Sequence, residues 1–130
     1  METAEISAAM ANGAITYIDR DDQAGRVQWN DHPKFKGVSL KHLIRGIDTG
    51  GSLSCHLVKI DPGCVLDEHI HESQLELHEV IEGEGSFFLG SKETAYHPGC
   101  MSVIPRGTKH KVIAGKNGMV LLAKFCPPLL

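Results

Sequence analysis

No stretch of the 130-residue chain approaches the roughly 18 to 20 consecutive apolar residues that a membrane-spanning helix requires, and no membrane partner is expected. Absent too is an excess of charge of one sign. Thirteen basic against sixteen acidic residues leave a formal charge of −3, spread too evenly to suggest a polyanion, so nucleic-acid binding is not expected either. The opening METAEISAAMANG lacks the basic segment and apolar run of a secretory signal, and the expectation is a cytoplasmic protein. The four cysteines, Cys55, Cys64, Cys100 and Cys126, form no C-x-x-C pair. A chain of this size can build a core without disulfide staples, so they read as reduced thiols, most of them small buried hydrophobes. No serine, lysine or cysteine nucleophile arrangement is recognisable.

Long helices lack room as well, because from Ala14 onward glycine and proline rarely leave more than a dozen residues uninterrupted. What is present is a composition of 42% hydrophobic and 22% charged residues, that of a globular protein with a packed core. One domain over 1–130 is expected, with an N-terminal arm over 1–30 and a β-barrel over 31–130. The segment Met1 to Ala11 is rich in helix formers and stops at Asn12-Gly13, which predicts a short helix. Trp29 and the following NDHP mark either the return of the arm to the barrel or a subunit contact. Seven runs then read as strands: 38–45, 52–60, 75–82, 86–90, 100–104, 109–114 and 119–125. Many short strands separated by Gly and Pro turns predict an all-β sandwich or barrel.

The chemistry concentrates between Gly63 and Gly83. His69 and His71 are two apart, so on a strand both imidazoles share a face and can meet one ion. Glu76 and His78 share a face of the next strand for the same reason, and a hairpin between the two strands would bring these groups together. His110 follows a turn set by Pro105 and Gly107. Three imidazoles and a carboxylate form a mixed N/O site suited to Mn, Fe, Co, Ni, Cu or Zn rather than Ca or Mg. His78 is an alternative to Glu76 as the fourth ligand. Glu79, Glu82 and Glu84 read as solvated charges. Alternation in 38–45 and 52–60 points His42 and His56 inward, as pocket residues or as ordinary core histidines. Cys64 and Cys100 follow the glycines at the barrel rim and read as buried small residues. Phe87, Phe88 and Phe125 read as core or sheet-packing residues. Tyr96, His97 and Arg106 read as solvated turn residues, with Arg106 a candidate to meet an anionic substrate at the barrel mouth.

With these residues in place, the sequence resembles the cupin superfamily. The family's first motif, G-x5-H-x-H, then Glu, then Gly, is matched by Gly63, His69, His71, Glu76 and Gly83. Its second, G-x5-P-x-G-x2-H-x3-N, is matched by Gly99, Pro105, Gly107 and His110, with Ala114 in place of the final Asn. The resemblance spans 63–83 and 99–114. It implies a double-stranded β-helix, or jelly-roll barrel, holding one divalent transition metal ion on His69, His71, Glu76 and His110. It also implies a metalloenzyme of dioxygenase, lyase or isomerase type acting on an oxygen-bearing small molecule, with Glu76 as the catalytic carboxylate. The alternative is a non-catalytic small-molecule sensor or binding module with a structural metal. Compact members of the family pair through sheet edges, so a homodimer is expected.

Overall fold

Short extended runs between glycine and proline breaks fold here into one curved antiparallel sheet. The computed structural model describes residues 2–130; Met1, part of the segment expected to be helical, lies outside the described residues. In chain order the elements are α1 (Thr3–Asn12), β1 (Ala14–Thr16), β2 (Asp21–Gln23), β3 (Trp29–Asp31), β4 (Val38–Ile44), β5 (Ser54–Ile60), β6 (Val65–His69), β7 (Leu75–Leu89), β8 (Lys92–Tyr96), β9 (Met101–Ile104) and β10 (His110–Cys126). Strands β1 and β2 form a small hairpin; the other eight form an antiparallel sheet in the order β3-β4-β5-β10-β7-β8, with β6 paired to β10 and β9 to β7. This is the all-β jelly-roll barrel that the strand pattern and motifs implied.

Three differences from expectation matter for the site. The runs 75–82 and 86–90 are one strand, β7, and 109–114 and 119–125 are one strand, β10. The glycines between them bend the strands instead of ending them. Gly83 has φ +83°, and a Cβ placed on it would lie 1.9 Å from the Gly118 carbonyl oxygen; one on Gly85 would lie 2.0 Å from the Ile113 oxygen. The two backbones cross there almost in contact, where the β7–β10 register shifts. The expected hairpin between the strands carrying His69 and Glu76 does not form, because β6 pairs with β10, His69 opposite His110. The long β10 offers one edge to β7 and the other to β6 and β5 in turn, so all the site-bearing strands meet on it.

Trp29 marks the return of the arm to the barrel, since β3 pairs with β4 with Trp29 opposite Lys41. The inner core is built from alternate residues of the strands, among them Val58, Ile60, Val80, Phe87, Ile104, Val112, Leu121 and Phe125. Phe88 is only half-buried, under the Lys111 ammonium. A second cluster lies on the other side of the sheet, where Cys55, Leu57, Val120 and Leu122 pack against Met10 and Ala11 of α1. Buried Lys41 donates from Nζ to the Ala11 carbonyl at 2.7 Å, satisfying a carbonyl at the C-terminal end of the helix. Of the four free cysteines, Cys55 is buried, Cys64 and Cys100 are half-buried and Cys126 is exposed. Among the described residues no helix is long and apolar enough to cross a membrane.

Candidate metal centre

Strand β6 ends at His69, and His71 stands two residues beyond it. The intended meeting of the two rings survives because the turn after β9 holds the segment: the Gly107 N–H donates to the His71 carbonyl at 3.0 Å, and Arg106 Nε–H donates to the Ser73 carbonyl at 3.0 Å. Arg106 therefore tethers a loop rather than standing free. Strand β10 supplies His110 and β7 supplies Glu76. The ligand atoms of His69, His71, Glu76 and His110 all lie within 4.8 Å of one another, a group that could hold a metal ion.

The hydrogen bonds around these side chains fit a cation. His69 Nδ1 lies 2.7 Å from the Asp67 carbonyl and His110 Nδ1 lies 2.8 Å from the Thr108 carbonyl. A carbonyl only accepts, so each Nδ1 carries the proton and each Nε2 keeps a free lone pair, the tautomer a metal ligand needs. Glu76 Oε1 faces His110 Nε2 at 3.2 Å and His71 Nε2 at 3.5 Å. Yet Glu76 Oε1 and His110 Nε2 are both buried without an aligned hydrogen-bond partner. Two buried acceptors turned towards each other are costly unless a proton or a cation sits between them.

The electrostatics agree. Burial pushes His69 down to about 4 and also lowers His71, so both rings are neutral near pH 7, the form that coordinates metal. Burial alone would raise the Glu76 carboxyl, but its imidazole neighbours, among them His78 with Nδ1 3.5 Å from Oε2, outweigh it and hold it low. Glu76 is thus a carboxylate, 5% exposed, among imidazoles. Phe125 packs edge-on against His71 at 4.9 Å between ring centres, and Phe35 stands 6.0 Å from His69, so aromatic rings wall the centre.

Both rivals for the fourth position face inward, in separate places. Glu76 is in the group; His78, 1% exposed, stands behind it with Nδ1 3.5 Å from Oε2. Glu79, read as solvated, pairs with Lys124 on the outer face. Tyr96 was expected at a solvated turn but is 2% exposed, because the short charged run of β8 is a strand whose last side chain enters the core. His97 remains exposed.

His56 does face the interior, fully buried, with His42 half-buried behind it. The two Nδ1 atoms are 2.7 Å apart, and His56 Nε2 lies 2.8 Å from Ser54 Oγ. Burial, then the neighbouring His42, push His56 down to about 4. In the unfolded chain the imidazole takes its proton near pH ~6.5. The neutral buried ring therefore contributes stability above that pH, and the contribution is lost as pH falls from about 6.5 to about 4. Its upper bound is about 3 kcal/mol. Urea midpoints of the metal-free protein should fall across this window, and His56→Gln should flatten the fall. An unchanged slope in the variant would refute this role.

A family model described as "Cupin domain" matches residues 56–123. No curated protein matches the sequence. Among solved structures, KdgF from Halomonas sp. is similar at 26% identity and a TM-score of 0.67, over 77% of this chain and 87% of that one. Ectoine synthase from P. lautus is similar at 25% identity and TM-score 0.66, over 76% and 70%. A Thermotoga maritima protein described as a predicted oxalate decarboxylase shares the fold at 20% identity and TM-score 0.72, over 79% and 95%.

Proposed function

The chain belongs to the cupin family, and from that premise we propose that it is a metalloenzyme in which His69, His71, Glu76 and His110 hold one divalent transition ion beside an oxygen-bearing small-molecule substrate. The observation that carries this reading is the pair of orphaned buried acceptors, Glu76 Oε1 and His110 Nε2, amid imidazoles whose tautomers are set by backbone carbonyls. When bound, the ion would supply Lewis acidity or redox capacity. The three imidazoles orient the site without adding charge, and the Glu76 carboxylate offsets part of the ion's charge. Phe35 and Phe125 limit the water that reaches the reacting atoms. Ectoine synthase, similar at 25% identity, supports an enzyme over a passive binding module.

The reaction class, dioxygenase, lyase or isomerase, is separated by metal content and oxygen uptake. Protein purified without added metal should carry bound ion. Iron or copper with substrate-stimulated oxygen consumption assigns the oxygenase form, whereas turnover of hydroxy or keto acids without oxygen uptake assigns a lyase or isomerase. Metal-loaded protein that binds such an acid and leaves it unchanged would contradict the enzyme reading and favour a binding module.

A further inference from the structure

Behind Glu76 lies a line of polar groups, His78, Tyr96 and Ser102. On β7, His78 stands directly opposite Ser102 of β9 and Ala123 of β10, and the small alanine leaves room for the imidazole. Tyr96 closes β8, which pairs with β7 farther along. His78 Nε2 lies 2.5 Å from Tyr96 Oη, which lies 2.5 Å from Ser102 Oγ. Phe87 stacks on Tyr96 at 4.7 Å between ring centres and meets His78 edge-on at 4.9 Å, fixing both rings.

The chemistry of the end of this line sets its direction. Glu76 Oε2 can only accept, so the His78 Nδ1 that faces it at 3.5 Å carries the ring proton. Nε2 is then left to accept from the Tyr96 phenol, whose oxygen also contacts Ser102 Oγ. Burial raises the Tyr96 phenol far above its ordinary range, so it keeps the proton it donates. Meanwhile the other carboxylate oxygen, Oε1, is the one facing His71 and His110.

We propose that Ser102, Tyr96 and His78 form a hydrogen-bonded relay that positions Glu76, holding Oε2 back so that Oε1 alone is presented to the ion. The proposal rests on the metal reading above, and His78 acts in it through Glu76 rather than as a ligand. Ligating carboxylates depend on such outer partners, whose loss typically weakens metal binding about 10- to 100-fold.

The test compares metal-stripped parent, His78→Leu, His78→Asn and Tyr96→Phe by Co(II) titration in competition with a chromophoric chelator, by the Cu(II) electron paramagnetic resonance spectrum, and by the melting temperature of each apoprotein. His78→Leu should bind Co(II) about 10- to 100-fold more weakly and shift the Cu(II) hyperfine splitting. Tyr96→Phe, which keeps the ring stack, should weaken binding about 3- to 10-fold. His78→Asn, whose amide N–H replaces Nδ1–H, should recover part of the loss. A merely structural role would lower the melting temperatures but leave Co(II) affinity and the Cu(II) spectrum at parental values, and that result overturns the relay. A parent that binds no metal overturns the metal reading and the relay together; a parent that binds while the variants match it overturns the relay alone.

Discussion

Glu76→Gln is expected to make the metal-free protein more stable while weakening its hold on a divalent ion by at least about 100-fold. Both effects come from one feature. With its proton on Nδ1 against the Thr108 carbonyl, His110 turns Nε2 as an acceptor towards Glu76 Oε1, 3.2 Å away, and neither buried atom has an aligned partner. A glutamine in the same shape can turn its amide N–H towards His110 Nε2 and leave its carbonyl to accept from His78 Nδ1. Relief of two unsatisfied buried groups, one of them charged, should raise apoprotein stability by about 1 to 3 kcal/mol. The same change removes the anionic ligand, so Co(II) affinity collapses. Urea unfolding and metal titration on one preparation check the two signs together. A destabilised apoprotein that keeps parental metal affinity would refute the reading of this contact.

Gly83→Ala is expected to cost about 3 to 5 kcal/mol, enough to threaten a domain whose total stability is on the order of 5 to 15. The backbone at Gly83 has φ +83°, where a Cβ is strained, and the added atom would lie 1.9 Å from the Gly118 carbonyl oxygen. That neighbour is backbone and cannot swing aside, so the crossing of β7 and β10 must open. The control is Gly90→Ala, at φ +58° with nothing within 4 Å of the added atom, where only the conformational cost of about 1 kcal/mol remains. Chemical denaturation of both variants decides the matter: equal losses would show that the close crossing is not what fixes glycine at position 83.

The four side chains that the fold gathers into one group were legible because their signal is local. A spacing of two on extended chain puts His69 with His71 and Glu76 with His78, and a turn built from Pro105 and Gly107 delivers His110. The inward face of His56 followed from alternation in the same way. What was not legible is set by distance in the chain. Nothing in residues 65–69 says that β6 pairs with β10 rather than with the next strand, since pairing depends on which edge the fully assembled barrel leaves open. Glycine at 83, 85, 115 and 118 reads as a break, and only the near-contact of two backbones shows that these glycines allow long strands to cross. Tyr96 was misplaced because KETAY carries two charges and no apolar alternation, and its burial is dictated by Phe87 and His78, reached across the sheet. Similarly, spacing could present Glu76 and His78 as rivals but could not show one standing behind the other.

If His69, His71, Glu76 and His110 converge on one ion, the metal stoichiometry of parent and single-ligand variants shows it. Elemental analysis after reconstitution should give one divalent transition ion per parent chain and none in His71→Ala or His110→Ala, with the variants still folded by circular dichroism. A metal-free parent, or full occupancy retained in either variant, would contradict it.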